Sequence, residues 1–191
     1  RLYTGGTDDL VRVFSVPGLE QEDSFGGRGA RIDHLALAPD GATVAAGDRD
    51  GAVTLFDAWS AEELYRFGGN GRPIVGLAWS ADGKQLGVAS MHGPLRLVDG
   101  DSGRPLEQIQ GPGEWFTRVA FALEHGLVAA TGTGGDVRIW TLPGGRLVKR
   151  LEVGGVETTQ LAWSGDGQRI AGADWDGRIR VWDVDSGELL V

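Results

Sequence analysis

Short runs in which apolar and polar residues alternate recur along this chain, among them Leu10-Val11-Arg12-Val13-Phe14 and Arg178-Ile179-Arg180-Val181-Trp182. A period of two places the apolar side chains on one face of a β-strand. A helix needs them every three to four positions, and no segment sustains that longer period. Asp40-Gly41, Asp50-Gly51, Asp82-Gly83, Asp166-Gly167, Asp176-Gly177 and Ser186-Gly187 separate the runs. Such pairs signal hairpins, because glycine enters the left-handed backbone region that tight turns require. The pattern predicts an all-β chain of short antiparallel strands.

The strands repeat on a grid. Phe14, Phe56, Val98, Trp140 and Trp182 are each 42 residues apart. Leu35, Leu77, Val119 and Leu161 form a second column, and Leu37, Trp79, Phe121 and Trp163 another. The Asp-Gly turn column also holds, except that the fourth repeat has Glu124-His125 there. One period reads as four strands, seen at 156–163, 168–173, 178–183 and from 188 onward. The repeats run approximately over 1–30 (incomplete), 31–72, 73–114, 115–155 and 156–191. A period of this length marks a repeat architecture, in which each unit buries its apolar faces against its neighbours.

Four antiparallel strands per unit, with Trp182-Asp183 and the degenerate copies Phe56-Asp57, Val98-Asp99 and Trp140-Thr141, resemble a WD-repeat β-propeller. Asp50-Gly51 and Asp176-Gly177, just ahead of those dipeptides, match the same family pattern, and the resemblance spans all 191 residues. It implies a β-propeller of four-stranded antiparallel blades, with about four and a half blades present. The Gly-His pair that the family places before the innermost strand is replaced by Gly26-Gly27, Gly68-Gly69 and Gly154-Gly155. The resemblance therefore implies an incomplete His-Asp-Trp network in every blade. Arg1-Leu2-Tyr3-Thr4 aligns with Thr43-Val44-Ala45-Ala46 of a second strand, so the first repeat lacks an inner strand. This reads as a piece of a larger propeller whose open ends favour self-association through exposed strand edges and blade faces.

Composition narrows the function classes. A net charge of −9 argues against binding to a phosphate backbone, which needs clustered Lys and Arg. There is no Cys, which removes disulfides, thiolate metal sites and thiol nucleophiles. Apolar runs are too short for a membrane span or a signal peptide, and the expected location is cytoplasmic. Glycine, 33 of 191 residues, falls at turn columns and so marks tight loops rather than disorder.

Catalytic chemistry is sparse. The three histidines, His34, His92 and His125, have no partners spaced for metal ligation. Asp33-His34 near Ser24 lacks anything that sets a nucleophile against the imidazole. Asp48-Arg49-Asp50-Gly51 and Asp174-Trp175-Asp176-Gly177 begin like calcium loops but lack the later ligands, including the closing Glu. Neither a catalytic residue, a metal nor a cofactor is expected. Trp79, Trp140, Trp163 and Trp182 lie on the grid and are read as core, while Arg12, Arg96, Arg138 and Arg180 are read as paired blade arginines.

Trp59, Trp115 and Trp175 differ, because their columns vary freely in size and charge and so do not pack. In WD-repeat proteins partners commonly bind the face built from the loops entering the inner strands and the turns between second and third strands. By resemblance the loops supply Arg31, Asp33, Trp115, Thr117, Glu157 and Thr159, and the turns supply Arg49, Met91, Thr133 and Trp175. Trp, Arg and Met are enriched at interface hot spots. The expected function is a protein–protein interaction scaffold that presents this face to a protein or peptide. The alternative is a sensor or regulatory propeller of a larger signalling chain, and an enzymatic propeller is the third reading.

Overall fold

The computed structural model describes residues 1–26, 29–109, 116–122, 125–132, 134–142 and 144–191. Every regular element in it is a strand, and every pairing is antiparallel between neighbours in sequence. The first blade contains β1 (Leu2–Gly5), β2 (Leu10–Phe14) and β3 (Gln21–Gly26). The second contains β4 (Ile32–Leu37), β5 (Thr43–Asp48), β6 (Ala52–Asp57) and β7 (Glu63–Gly68). The third has β8 (Ile74–Trp79), β9 (Gln85–Ser90), β10 (Leu95–Asp99) and β11 (Pro105–Ile109). The fourth has β12 (Phe116–Ala122), β13 (Leu127–Gly132), β14 (Val137–Thr141) and β15 (Leu147–Leu151). The last has β16 (Thr158–Trp163), β17 (Arg169–Asp174) and β18 (Ile179–Asp183), with Leu189 bridging to Trp182 where a fourth strand begins.

The grid residues hold equivalent places. Phe14, Phe56, Val98, Trp140 and Trp182 lie opposite Leu2, Val44, Leu86, Val128 and Ile170 on the adjoining second strands. The first sheet lacks an inner strand, as its alignment predicts.

The core lies between blades rather than within one. Val53 and Leu55 of β6 pack with Ile74, Trp79 and Leu86 of the next blade, and each other seam repeats the scheme. Side chains on alternate positions of a twisted sheet need such a facing layer to leave water. Val11, Val53, Leu95 and Val137 share one column and are wholly buried, whereas Ile179 in the last blade is 67% exposed. Indole N–H groups tie the seams as well: Trp79 Nε1 donates to the Ala36 carbonyl at 3.0 Å and Trp163 Nε1 to that of Ala120 at 3.1 Å.

Arginine takes over much of the polar bonding inside the blades. Buried Asp174 accepts from the Thr158 hydroxyl at 2.7 Å and pairs with Arg180. Buried Asp136 is held by Arg150 and Arg138. In the second blade the arginine column holds Thr54, and Arg66 reaches across from β7 to Asp48 at 3.1 Å instead. A buried carboxylate without a cation or donors would be strongly disfavoured.

Candidate interaction face and inner-strand cavity

Antiparallel connections return alternately to the two ends of a blade, so each end collects two kinds of turn. At one end the turn from inner to second strand meets the turn from third to fourth. Their backbones bond directly: Ala58 N–H donates to the Ala42 carbonyl, Gly100 to Lys84 and Val184 to Gln168. This end repeats closely. Asp57, Asp99 and Asp183 each accept the backbone N–H and the hydroxyl of the serine three residues on, at 2.6 to 3.0 Å. These bonds, together with those from neighbouring N–H groups, hold the three carboxyls below their usual range. The Asp of the Trp-Asp dipeptide is thus the acceptor that closes its turn. Trp59, 70% exposed, stands here on the Asp57 turn, with the Arg1 guanidinium 4.7 Å from its ring centroid.

At the other end the loop entering the inner strand meets the turn from second to third. Arg49 N–H donates to the Arg31 carbonyl at 3.0 Å, Met91 to Pro73 at 2.8 Å and Trp175 to Glu157 at 3.0 Å. Loop and turn therefore meet in three blades, and in two of them both partners are expected face residues, Arg31 with Arg49 and Glu157 with Trp175. Trp175 is 73% exposed, Met91 is 40% exposed, and the Arg31 and Arg49 side chains are largely in solvent. Arg31 and Arg49 both pair with Asp33, Arg49 through Nε at 2.9 Å. Trp115 and Thr133, also expected on this face, lie outside the described residues.

Two expected members turn inward. The Thr117 hydroxyl bonds that of Thr131 at 3.1 Å, and the Thr159 hydroxyl donates to the Ala173 carbonyl at 2.9 Å. Both residues fall where the inner-strand register slips by one: between Ile32 and His34, Ile74 and Gly76, Phe116 and Arg118, and Thr158 and Gln160. A bulge re-aims the side chains beside it.

The bulges border a cavity of about 860 Å3 lined from four inner strands, β4, β8, β12 and β16. Asp33, Arg49 and Met91 of the expected face line it, while Arg31, Glu157 and Trp175 stand outside the lining. His34, Arg118 and Gln160 also line it and were not read as site residues. Their shared column reads His34, Gly76, Arg118 and Gln160, so the variation that singled out Trp175 was present here too. Arg118 donates through one terminal nitrogen to the carbonyls of Val75 and Thr117, and its buried Nε has no acceptor. Burial pushes the Arg118 guanidinium down from its usual range, with Glu157 opposing the shift. Burial and the charge of Arg118 also push His34 down, against Asp33. His34 consequently favours its neutral form beside a cation.

Among the described residues no group of three or more His, Cys, Asp or Glu side chains is placed to hold a metal ion. Nor is any helix among them long and apolar enough to cross a membrane.

A comparison with curated proteins gives no match. Residues 20–57 and 146–183 each match the family model of the WD domain, G-beta repeat. Each match runs from the approach to an outer strand, β3 or β15, through the next three strands to the turn-closing Asp57 or Asp183. The sequence repeat is therefore offset by one strand from the structural blade. WD repeats generally mediate protein–protein interaction and are typically non-enzymatic. By its blades, its turn-closing aspartates and these matches, the chain carries WD repeats folded as β-propeller blades.

Proposed function

We propose that this protein is an interaction scaffold whose blades present the variable end, around the inner-strand cavity, to a protein or peptide partner. One observation carries the reading. The paired loops at 31 and 49, 73 and 91, and 157 and 175 share a backbone frame yet display Arg, Met and Trp side chains that differ from blade to blade. A rigid frame with exposed, dissimilar, hot-spot residue types suits recognition better than it suits packing. Mapping hydrogen exchange with and without a bound partner tests it. Protection should concentrate at residues 31–33, 49, 91 and 175; protection confined to the opposite turns or the outer strands would refute it.

A further inference from the structure

We infer that the inner-strand cavity takes a carboxylate side chain of an acidic peptide segment, with Arg118 as its anchor and Arg49 at its rim. The inference rests on the interaction reading above and names the chemistry of the partner. Of the side chains lining the cavity, Arg49 and Arg118 are cationic and Asp33 anionic, a balance of +1 in a chain that carries −9. Counting the two flanking groups, Arg31 and Glu157, leaves the balance unchanged.

Asp33 is already shared between Arg31 and Arg49. Arg118 is not matched in this way. Glu157 acts on it only through its charge, two backbone carbonyls occupy a single terminal nitrogen, and Nε is without a partner. Guanidinium forks are suited to carboxylates, and a half-buried one gains more from an ionic acceptor than one in water. The cavity's surplus of a single positive charge matches a carboxylate monoanion better than a phosphate dianion. Apolar flanks from Leu35, Pro73, Val75 and Met91 can hold the neighbouring residues of an extended peptide. Gly76 lines the cavity where β8 and β12 approach closely, since a Cβ there would meet the Val119 backbone nitrogen at 3.3 Å and the Arg118 Cα at 3.4 Å.

The test is binding of the 191-residue chain to pools of short extended peptides with one fixed central residue: Glu, Asp, phosphoserine, Ala or Lys. Glu and Asp pools should bind about tenfold or more tighter than Ala or Lys pools, and the preference should shrink as salt is raised. Arg118→Met should abolish the preference, and Arg49→Gln should reduce it severalfold. Because Arg118 also bonds Val75, thermal melting is recorded for each variant; if Arg118→Met fails to fold, Arg118→Lys and Arg49→Gln decide the matter. Binding of the Glu pool should also raise the NMR titration midpoint of His34, since a bound anion offsets the charge of Arg118. Pools that bind with no acidic preference overturn this inference and leave the interaction reading standing, and a phosphoserine pool that outranks Glu overturns the choice of carboxylate. Absence of binding by every pool overturns the inference; the interaction reading falls only if exchange mapping with a captured partner also misses the face.

Discussion

The two ends of the blades use similar turns to opposite purposes. At the repeated end, Asp57, Asp99 and Asp183 each satisfy a serine hydroxyl and its backbone N–H, and the backbone of one turn bonds the next. At the variable end the backbone bonding is just as regular, but Arg31, Pro73 and Glu157 face Arg49, Met91 and Trp175 with no shared side-chain scheme. Backbone regularity without side-chain regularity separates a frame from what is mounted on it. A sharp contrast in mutational tolerance between the two ends follows.

The largest effect is expected where the repeated end meets the core. Trp79 is 8% exposed, fills the seam between the second and third blades, and donates to the Ala36 carbonyl. Trp79→Ala should cost about 3–5 kcal/mol, read as a fall in the denaturant midpoint, because the vacated volume cannot collapse. A loss under about 1 kcal/mol, in the range of a surface substitution, would mean that the seam does not hold the blades together.

Gly103, in the Asp99 turn, comes next. Its φ is +64°, and a Cβ would meet the Tyr65 and Phe67 rings of the preceding blade, with Phe67 Cδ1 at 2.8 Å. Gly103→Ala should destabilise by about 1–3 kcal/mol through left-handed strain and displacement of those rings. Ala61 occupies the same turn position in the second blade at φ +61°. Ala61→Gly should therefore stabilise by up to about 1 kcal/mol, the difference between glycine and alanine at positive φ. Thermal melting of both variants gives the comparison, and equal signs would contradict it.

Acid should affect the repeated end selectively. The folded-state pKa values of Asp57, Asp99 and Asp183 are lowered, chiefly by hydrogen bonds from Ser60, Ser102 and Ser186. The unfolded chain then binds more protons than the folded one through the carboxylate range. The stabilisation is present above the unfolded value and is lost as pH falls through the folded values. Melting temperature should drop below about pH 4, and the triple variant carrying Asp57→Asn, Asp99→Asn and Asp183→Asn should show a shallower drop from a lower starting point. An unchanged acid limb would show that these carboxyls are not linked to folding.

Much of this contrast was legible in the chain. The grid of Phe14, Phe56, Val98, Trp140 and Trp182 located the third strands, because a buried column admits only large apolar groups. Column variation alone did not separate the two ends, since it marked Trp59 on the Asp57 turn as well as Trp175; the face itself was assigned by the family resemblance. The inner-strand bulges were not legible, since one extra residue leaves the 42-residue period intact while re-aiming the side chains around it. That is why Thr117 and Thr159 were expected on the face although they bond their own blades. Arg118 and His34 line the cavity for the same reason. The arginine pairing of Asp48 was hidden differently: Arg66 sits on the fourth strand, outside the column that carries Arg12, Arg96, Arg138 and Arg180.

Trp175 should give the smallest effect on stability and the most informative one. Its indole is 73% exposed, and only its backbone N–H is committed, to the Glu157 carbonyl, a bond that any residue except proline can make. Trp175→Ala removes no buried area of note, so stability should stay within about 0.5 kcal/mol of the parent. If the indole is an anchor, the same substitution should weaken partner binding by about 2 kcal/mol or more, through faster dissociation. Trp59→Ala is the matched control, because Trp59 is equally exposed but stands on the Asp57 turn at the repeated end. Two exposed tryptophans at opposite ends should then behave alike in a melting experiment and differently in a binding experiment. Equal losses of binding from both would show that exposure alone, and not the variable end, governs recognition.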